Sequence, residues 1–155
     1  LVQRFNQLCR KKGFLDRVLI DAQSFAVTLY RLGKPFSRQQ LSAGENQLFA
    51  MATLWALREL SGRPLPVIVD TPLSRLDSEH RASLIQEFFP FVSQQTLLLG
   101  TDVELDHELS RYLQPALSHI YELQFDAQAG KTLVAHSTPP AESGPVLLIE
   151  QLALL

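Results

Sequence analysis

The stretch Leu41-Ser42-Ala43-Gly44-Glu45 brings together a hydroxyl, a glycine and a carboxylate at a spacing that can do two things. Ser42 and Glu45 have the S-x-x-E pattern of a capping box, in which the serine caps a backbone N–H and the glutamate reaches back to the capping residue. That device needs no ligand. Gly44 adds a second reading. A glycine in a first helical turn costs about 1 kcal/mol against alanine, and it leaves the backbone open to approach. Unpaired N–H groups, a hydroxyl and no Cβ describe an anion site, phosphate above all. Downstream, Leu65-Pro66-Val67-Ile68-Val69-Asp70 ends an apolar run in a carboxylate. Open α/β sheets take ligands at such strand ends, where an aspartate either caps a turn or positions a hydrated Mg²⁺ beside phosphates. A third group, Ser74-Arg75-Leu76-Asp77, forms a tight loop ahead of a helix.

The other reactive residue types are read as structural. His80 sits in a first helical turn as a packed or capping residue. His107, His119 and His136 show no metal-ligand pairing. Cys9 has no second cysteine to resolve it. Trp55 and Phe88, Phe89 and Phe91 are expected in the core. Arg10, Lys11, Lys12 and Arg17 form a modest basic cluster that is either a solvated face or a contact for DNA phosphates.

These residues need elements to hold them. Residues 1–12 read as a helix stopping at Gly13, with Arg10, Lys11 and Lys12 near its end. Residues 18–21 and 25–31 read as a hairpin joined by Ala22-Gln23-Ser24, with Phe25, Val27 and Leu29 on one buried side. Gly33-Lys34-Pro35 then makes a turn. Residues 42–60 read as a helix with Leu48, Met51, Ala52, Trp55 and Leu60 on its apolar side, ended by Gly62 and Pro64. Residues 66–69 and 96–99 read as strands buried on both faces, separated by a helix over 78–89. Residues 104–113 read as a helix, and 119–125 pairs with 132–136 around a turn at 126–130. Strands alternating with helices predict an α/β domain with a largely parallel central sheet. Residues 137–145 are rich in Pro and Ser, and 146–155 read as an apolar tail that docks on something.

At 155 residues the chain has the length of one domain, and 46% hydrophobic against 19% charged residues excludes disorder by composition. A single cysteine excludes an internal disulfide framework and a Cys-based zinc cluster. The longest apolar stretch, 48–57, is about half the ~20 residues a membrane-spanning helix needs, so a cytoplasmic protein with no membrane contact is expected. The net charge of −2 is unevenly spread. Residues 1–38 hold eight Lys or Arg against Asp16 and Asp21, whereas 39–155 hold six against fourteen acids. The opening Leu-Val-Gln carries no Met, which suggests a piece of a longer protein.

Taken in order, L-S-x-G-E opening a helix, an apolar strand ending in Asp, and P-x-x-x-L-D resemble the ABC-type ATPase heads of SMC-like and DNA-repair proteins. Residues 41–45 resemble the ABC signature, 67–70 the Walker B strand and 74–77 the D-loop. The run from Leu65 to Arg81, with Leu99-Gly100-Thr101-Asp102-Val103-Glu104, is similar to the DndD-like ATPases of DNA phosphorothioation (DNA sulfur modification) systems. The resemblance covers roughly residues 11–136. It implies a P-loop NTPase-like fold: residues 1–12 as the end of a coiled-coil arm, 13–136 as the C-terminal lobe of the head, and 137–155 as linker and tail. It further implies ATP and Mg²⁺ bound at a head–head homodimer. Leu41, Ser42, Ala43, Gly44 and Glu45 would face nucleotide held by the opposite head. Asp70 would orient Mg²⁺, and Ser74, Arg75, Leu76 and Asp77 would work across the dimer seam. DNA, other phosphorothioation proteins and an N-terminal Walker A lobe of the same polypeptide are the implied partners.

The sequence departs from that pattern in three places. The only G-K-[ST] is Gly130-Lys131-Thr132, with Phe125 where the phosphate loop needs glycine; it reads as a turn. Thr71 stands where the glutamate after the Walker B aspartate usually aligns water, and a threonine is no proton acceptor at neutral pH. Thr101-Asp102 stands at the switch position, so Asp102 or Glu104 is a candidate replacement carboxylate. Two alternatives stay open: the head of another SMC-like repair or phage-defence ATPase, and a non-catalytic dimerisation or DNA-binding module.

Overall fold

Helix α2, Ala43–Ser61, begins at the capping serine and ends at Gly62, whose φ of 61° supplies the left-handed C-terminal turn. Leu48, Phe49, Ala52 and Trp55 are its buried apolar residues. Its partner is the seven-residue helix α1, Val2–Leu8. At 1.5 Å per residue the two are about 10 and 28 Å long, so α1 cannot cover the C-terminal end of α2. Leu60, expected on the apolar side, is accordingly exposed, and Met51 is only half-buried. Phe5 of α1 is fully buried, its ring 5.9 Å from Phe14 and 6.0 Å from Phe49. The Arg4 guanidinium stacks 3.9 Å from the centre of the Trp55 ring and pairs with Glu59.

The computed structural model describes residues 1–11, 13–101, 112–137 and 146–152 and contains two compact units. The first holds residues 1–63 and 75–84, the second 64–74 and 85–155. Helix α1 is shorter than the sequence suggests. It closes at Leu8, Cys9 is extended, and Gly13 (φ 65°) lies in a later turn. Asn6 fixes that return by accepting from Leu15 N (3.0 Å) and donating to Leu15 O (2.7 Å). Arg10 and Lys11 therefore lie outside the helix, and its last turn holds no cation.

An antiparallel sheet completes the first unit, in the order β1 (Arg17–Ile20), β2 (Val27–Arg31), β3 (Lys34–Phe36). Val18 pairs with Leu29 and Leu29 with Phe36, so Leu29 is buried at the centre of the ladder. Phe25 instead occupies the turn at φ 56°, exposed. There Asp21 Oδ1 accepts from the N–H groups of Gln23 and Ser24. Strand β3 replaces the turn expected at 33–35. The reversal is Leu32-Gly33, both at positive φ, the two-residue connection that fits strand twist, and Pro35 is tolerated because β3 is an edge strand. A 3₁₀ turn, Arg38–Gln40, leads into α2. Helix α3, Ser78–Ser83, also belongs to this unit, and a π-helical turn, Leu84–Phe88, takes up the rest of the expected 78–89 helix.

The second unit is a five-stranded mixed sheet. Its strands are β4 (Val67–Asp70), β5 (Thr96–Thr101), β6 (Leu117–Asp126), β7 (Lys131–Ser137) and β8 (Val146–Leu152), in the order β4-β5-β8-β6-β7. Strand β8 runs parallel to both β5 and β6, β4 runs parallel to β5, and only β6–β7 is antiparallel. The architecture is α/β. The C-terminal apolar stretch is not a tail over 146–152 but a central strand of this sheet. Strands β4 and β5 alternate rather than being buried on both faces. Val67, Val69, Thr96 and Leu98 are buried, whereas Ile68 is exposed and Leu97 and Leu99 are half-buried. Phe88 and Phe89 are fully buried, edge to face at 5.4 Å, whereas Phe91 is exposed. The β6–β7 turn ends at Gly130 (φ 60°), with Asp126 Oδ1 accepting from the Gln128 and Ala129 N–H groups, and Lys131 and Thr132 open β7 opposite Asp126 and Phe125. Among the described residues no helix is long and apolar enough to cross a membrane.

Candidate functional site

Ser42 is the N-cap of α2, and the capping box is complete. Ser42 Oγ accepts from Glu45 N (3.1 Å), and Ser42 N donates to Glu45 Oε2 (2.8 Å). The serine thus uses an acceptor lone pair for the cap and keeps its O–H as a donor. The N–H groups of Ala43 and Gly44, in the first turn of a 19-residue helix, have no partner within the helix itself. Both Ser42 and Ala43 are exposed, so this donor set faces solvent.

Gly44 does something the sequence does not foretell. A Cβ at this position would lie 3.2 Å from the Arg75 carbonyl oxygen and 3.5 Å from Leu76 Cδ2. The missing side chain makes room for the 75–77 loop of the same unit, and the space where a Cβ would stand is taken by backbone.

Glu45 is buried although charged, with 6% of its surface exposed. Its other oxygen, Oε1, accepts from Lys11 Nζ at 2.8 Å. Burial pushes its carboxyl up, but the Lys11 ammonium and the Ser42 donors outweigh that and hold it below its ordinary value. Asp77 caps α3 by accepting from His80 N (2.9 Å), the bond that most lowers its carboxyl. Its Oδ1 also lies 3.1 Å from His80 Nδ1, while His80 Nε2 accepts from Arg10 N (3.4 Å). Arg10 Nη1 reaches Glu79 Oε2 at 3.3 Å. A cleft of about 190 Å³ is lined by Cys9, Arg10, Lys11, Ser42, Glu45, Asp77 and His80. Cys9 is buried, and that burial raises its thiol, so it is a packing residue.

Asp70 closes β4 in the second unit, exposed at the C-terminal end of a parallel strand. Thr71 follows at φ 45°, a left-handed conformation rarely taken by a β-branched residue. Its N–H donates to Leu99 O at 2.8 Å, which ties the strained residue to β5. Ser74 Oγ lies 3.4 Å from Thr71 O.

Of the residues picked out by sequence, the first unit brings Ser42, Glu45 and Asp77 onto one cleft with Gly44 packed beneath Arg75. Asp70, Thr71 and Ser74 lie in the second unit. Asp102, Glu104, Lys12 and His107 lie outside the described residues. Of the expected basic cluster, Arg10 and Lys11 are each paired with a glutamate, and the Arg17 guanidinium sits 4.2 Å from the centre of the Tyr30 ring. Sequence reading missed Lys11 as the partner of Glu45. A lone lysine 34 positions away carries no pairing signal, though a buried glutamate in a capping box needs some cation or donor nearby.

The donor set fits a phosphate: the Ser42 hydroxyl, two first-turn N–H groups and the positive end of a long helix. Among the described residues no three His, Cys, Asp or Glu side chains converge on a metal position. A lone exposed carboxylate such as Asp70 suits Mg²⁺, which keeps several waters and uses one or two carboxylates with substrate phosphates. No protein-family model matches the chain, and no curated protein matches it.

Proposed function

We propose that this chain is the C-terminal lobe of an ABC-type, SMC-like ATPase head of the DndD-like kind, working on DNA in phosphorothioation. The observation that carries the reading is the opening of α2, where a complete Ser42–Glu45 box stands beside the first-turn N–H groups of Ala43 and Gly44 while Gly44 lets the Asp77 loop pack on the same helix start. Signature, Walker B and D-loop follow one another in the order such heads use, and Asp70 ends a parallel strand, where the reading requires it.

In this reading two heads close on ATP. Ser42 donates its O–H, and Ala43 and Gly44 their N–H groups, to the terminal phosphate of nucleotide held by the opposite head. Glu45 holds Ser42 in place, and Lys11 holds Glu45. Asp70 orients the hydrated Mg²⁺ of its own head. When bound, Mg²⁺ would supply positive charge to the phosphate oxygens. Asp77 works at the dimer seam, with His80 fixing its rotamer. Thr71 takes the place of the usual water-aligning glutamate, and Asp102 or Glu104 is the carboxylate proposed to replace it.

The test is ATP-dependent dimerisation and hydrolysis by the protein joined to its Walker A lobe, comparing wild type with Ser42→Arg. The variant blocks the donor set and is expected to abolish ATP-dependent dimers. Equal dimerisation of the two would sink the reading. It would favour the non-catalytic module, for which the lack of a proton acceptor at Thr71 speaks. Hydrolysis at the parental rate in an Asp102→Ala/Glu104→Ala double variant would remove those two from the mechanism.

A further inference from the structure

The hairpin formed by β2 and β3 carries a charge arrangement that works against its own fold. Arg31 and Lys34 are directly opposed across the strands, at the step next to the Leu32-Gly33 turn. Like charges in that position destabilise a ladder. Neither residue is in an ion pair among the described residues. The nearby Asp16 carboxylate is engaged by the Gly33 N–H at 2.8 Å. Leu32 adds a second cost: it is in the left-handed region at φ 51° and 83% exposed. Both cations line one cleft of about 340 Å³, with the rings of Phe14 and Phe36, at right angles and 6.1 Å apart, among its walls. The Arg31 guanidinium stands 5.0 Å from the centre of the Phe14 ring, which limits where it can point.

An unrelieved cationic pair beside a turn, held over aromatic walls in a concave site, suits an anion that presents several oxygens to two donors at once. A chain of such anions suits it best, because the cleft is open and its cations sit at an exposed hairpin tip. We propose that this cleft binds phosphate groups of a nucleic-acid backbone, with Arg31 and Lys34 as the contacting side chains. The contact is independent of base sequence, since the cleft offers charge rather than a donor–acceptor pattern for base edges. It takes from the ATPase reading only the choice of DNA as the polyanion. It replaces Arg10 and Lys11 as the DNA contact, since those two are neutralised by Glu79 and Glu45.

The experiment is anisotropy titration of the chain against a short labelled DNA duplex over a range of salt, with no nucleotide present. Failure of the ATPase reading therefore leaves this test untouched, and the reverse also holds. Wild type is expected to bind with a salt-dependent affinity. Arg31→Gln/Lys34→Gln should weaken binding roughly ten-fold and reduce the log–log salt slope by roughly 2, at about 0.9 for each phosphate that is no longer neutralised. Lys34→Glu should weaken binding at least as much as the double variant while melting no lower than wild type, because it turns the opposed pair into an ion pair. Arg63→Gln, which removes a cation from the turn after α2, should bind as wild type does. Wild-type binding by the double variant, an equal loss in Arg63→Gln, or binding of a polyglutamate peptide as tight as that of DNA would each overturn the proposal.

Discussion

Removing Lys11 should cost more than removing the charge it pairs with, although both changes delete one 2.8 Å contact. The asymmetry comes from burial. The Glu45 side chain is 8% exposed and that of Lys11 60%. A hydrogen bond to a charged group contributes about 1.5–3 kcal/mol, and the solvation of Lys11 lowers that to about 1 kcal/mol. Lys11→Met keeps the methylene stem beside Phe14 but leaves a buried carboxylate with Ser42 as its remaining donor. The unmet desolvation brings the expected loss to about 1–2 kcal/mol. Glu45→Gln keeps a capping oxygen for Ser42 N and releases the ammonium into water, at about 0.5 kcal/mol. At about 3 °C per kcal/mol for a chain of this size, Lys11→Met should lower the melting midpoint by about 3–6 °C and Glu45→Gln by about 1–2 °C. The double variant should resemble Glu45→Gln alone.

The same pair sets an acid response. The folded Glu45 carboxyl lies below its ordinary value. Its contribution is therefore present above the ordinary carboxylate range and is lost as pH falls through the depressed value. In Lys11→Met burial is opposed by fewer donors, so the depression and the acid loss that comes with it should shrink, and in Glu45→Gln this component should vanish. Asp77 and Asp21, also held low by backbone donors, contribute the same background to all three proteins. Thermal melts from neutral to acid pH measure both effects. A Glu45→Gln loss equal to or larger than that of Lys11→Met would refute the burial argument.

Gly44→Ala should fail to deliver the gain of about 1 kcal/mol that glycine-to-alanine normally brings in a helix, because its Cβ meets the Arg75 carbonyl at 3.2 Å; urea midpoints decide it. Asp77→Ala should lose about 1 kcal/mol with the cap of α3, while Asp77→Asn keeps the cap, so any ATPase defect in Asp77→Asn reports charge at the dimer seam rather than folding. Thr71→Asn should stabilise the second unit by about 1 kcal/mol by easing the left-handed strain; a lower melting midpoint would show that φ 45° carries no cost there. Deleting residues 138–155 should destroy the parallel sheet, since β8 lies between β5 and β6, and near-native circular dichroism of the truncated chain would refute that strand order.

Helix α2 was legible almost to the residue because its signals are local: Ser42 and Glu45 at one end, Gly62 at the other. The β6–β7 hairpin was legible for the same reason, with Asp126 and Gly130 marking its turn. What escaped depends on distant partners. Strand β8 follows a Pro- and Ser-rich stretch and carries no alternation, as a strand flanked on both sides by parallel neighbours need not. Strand β3 is three residues with a proline at its centre, a pattern that reads as a turn until β2 is there to pair with it. The end of α1 depends on Asn6 reaching Leu15, and the cleft at Ser42 depends on Lys11 and His80, residues whose roles appear only once the chain has returned.

The places where local rules are broken are more telling than the places where they hold. A β-branched residue sits at positive φ at Thr71, a glycine occupies the first turn of the longest helix at Gly44, and two cations oppose each other at Arg31 and Lys34. A sequence selected for folding alone would replace the first with asparagine and one of the opposed cations with a glutamate, whereas Gly44 is held by the Arg75 carbonyl packed against it. Two of them meet on one short piece of chain. The 71–75 segment begins with the strained threonine directly after Asp70 and ends with the carbonyl that needs a glycine at position 44. A bulkier residue at 44 would displace the Arg75 carbonyl, and a relaxed residue at 71 would change the direction in which the chain leaves β4. The third violation lies apart from this loop, in the cleft assigned to the nucleic-acid backbone. The left-handed threonine beside Asp70 and the opposed cations of the β2–β3 hairpin thus mark the two places where the proposed anion contacts are to be tested first.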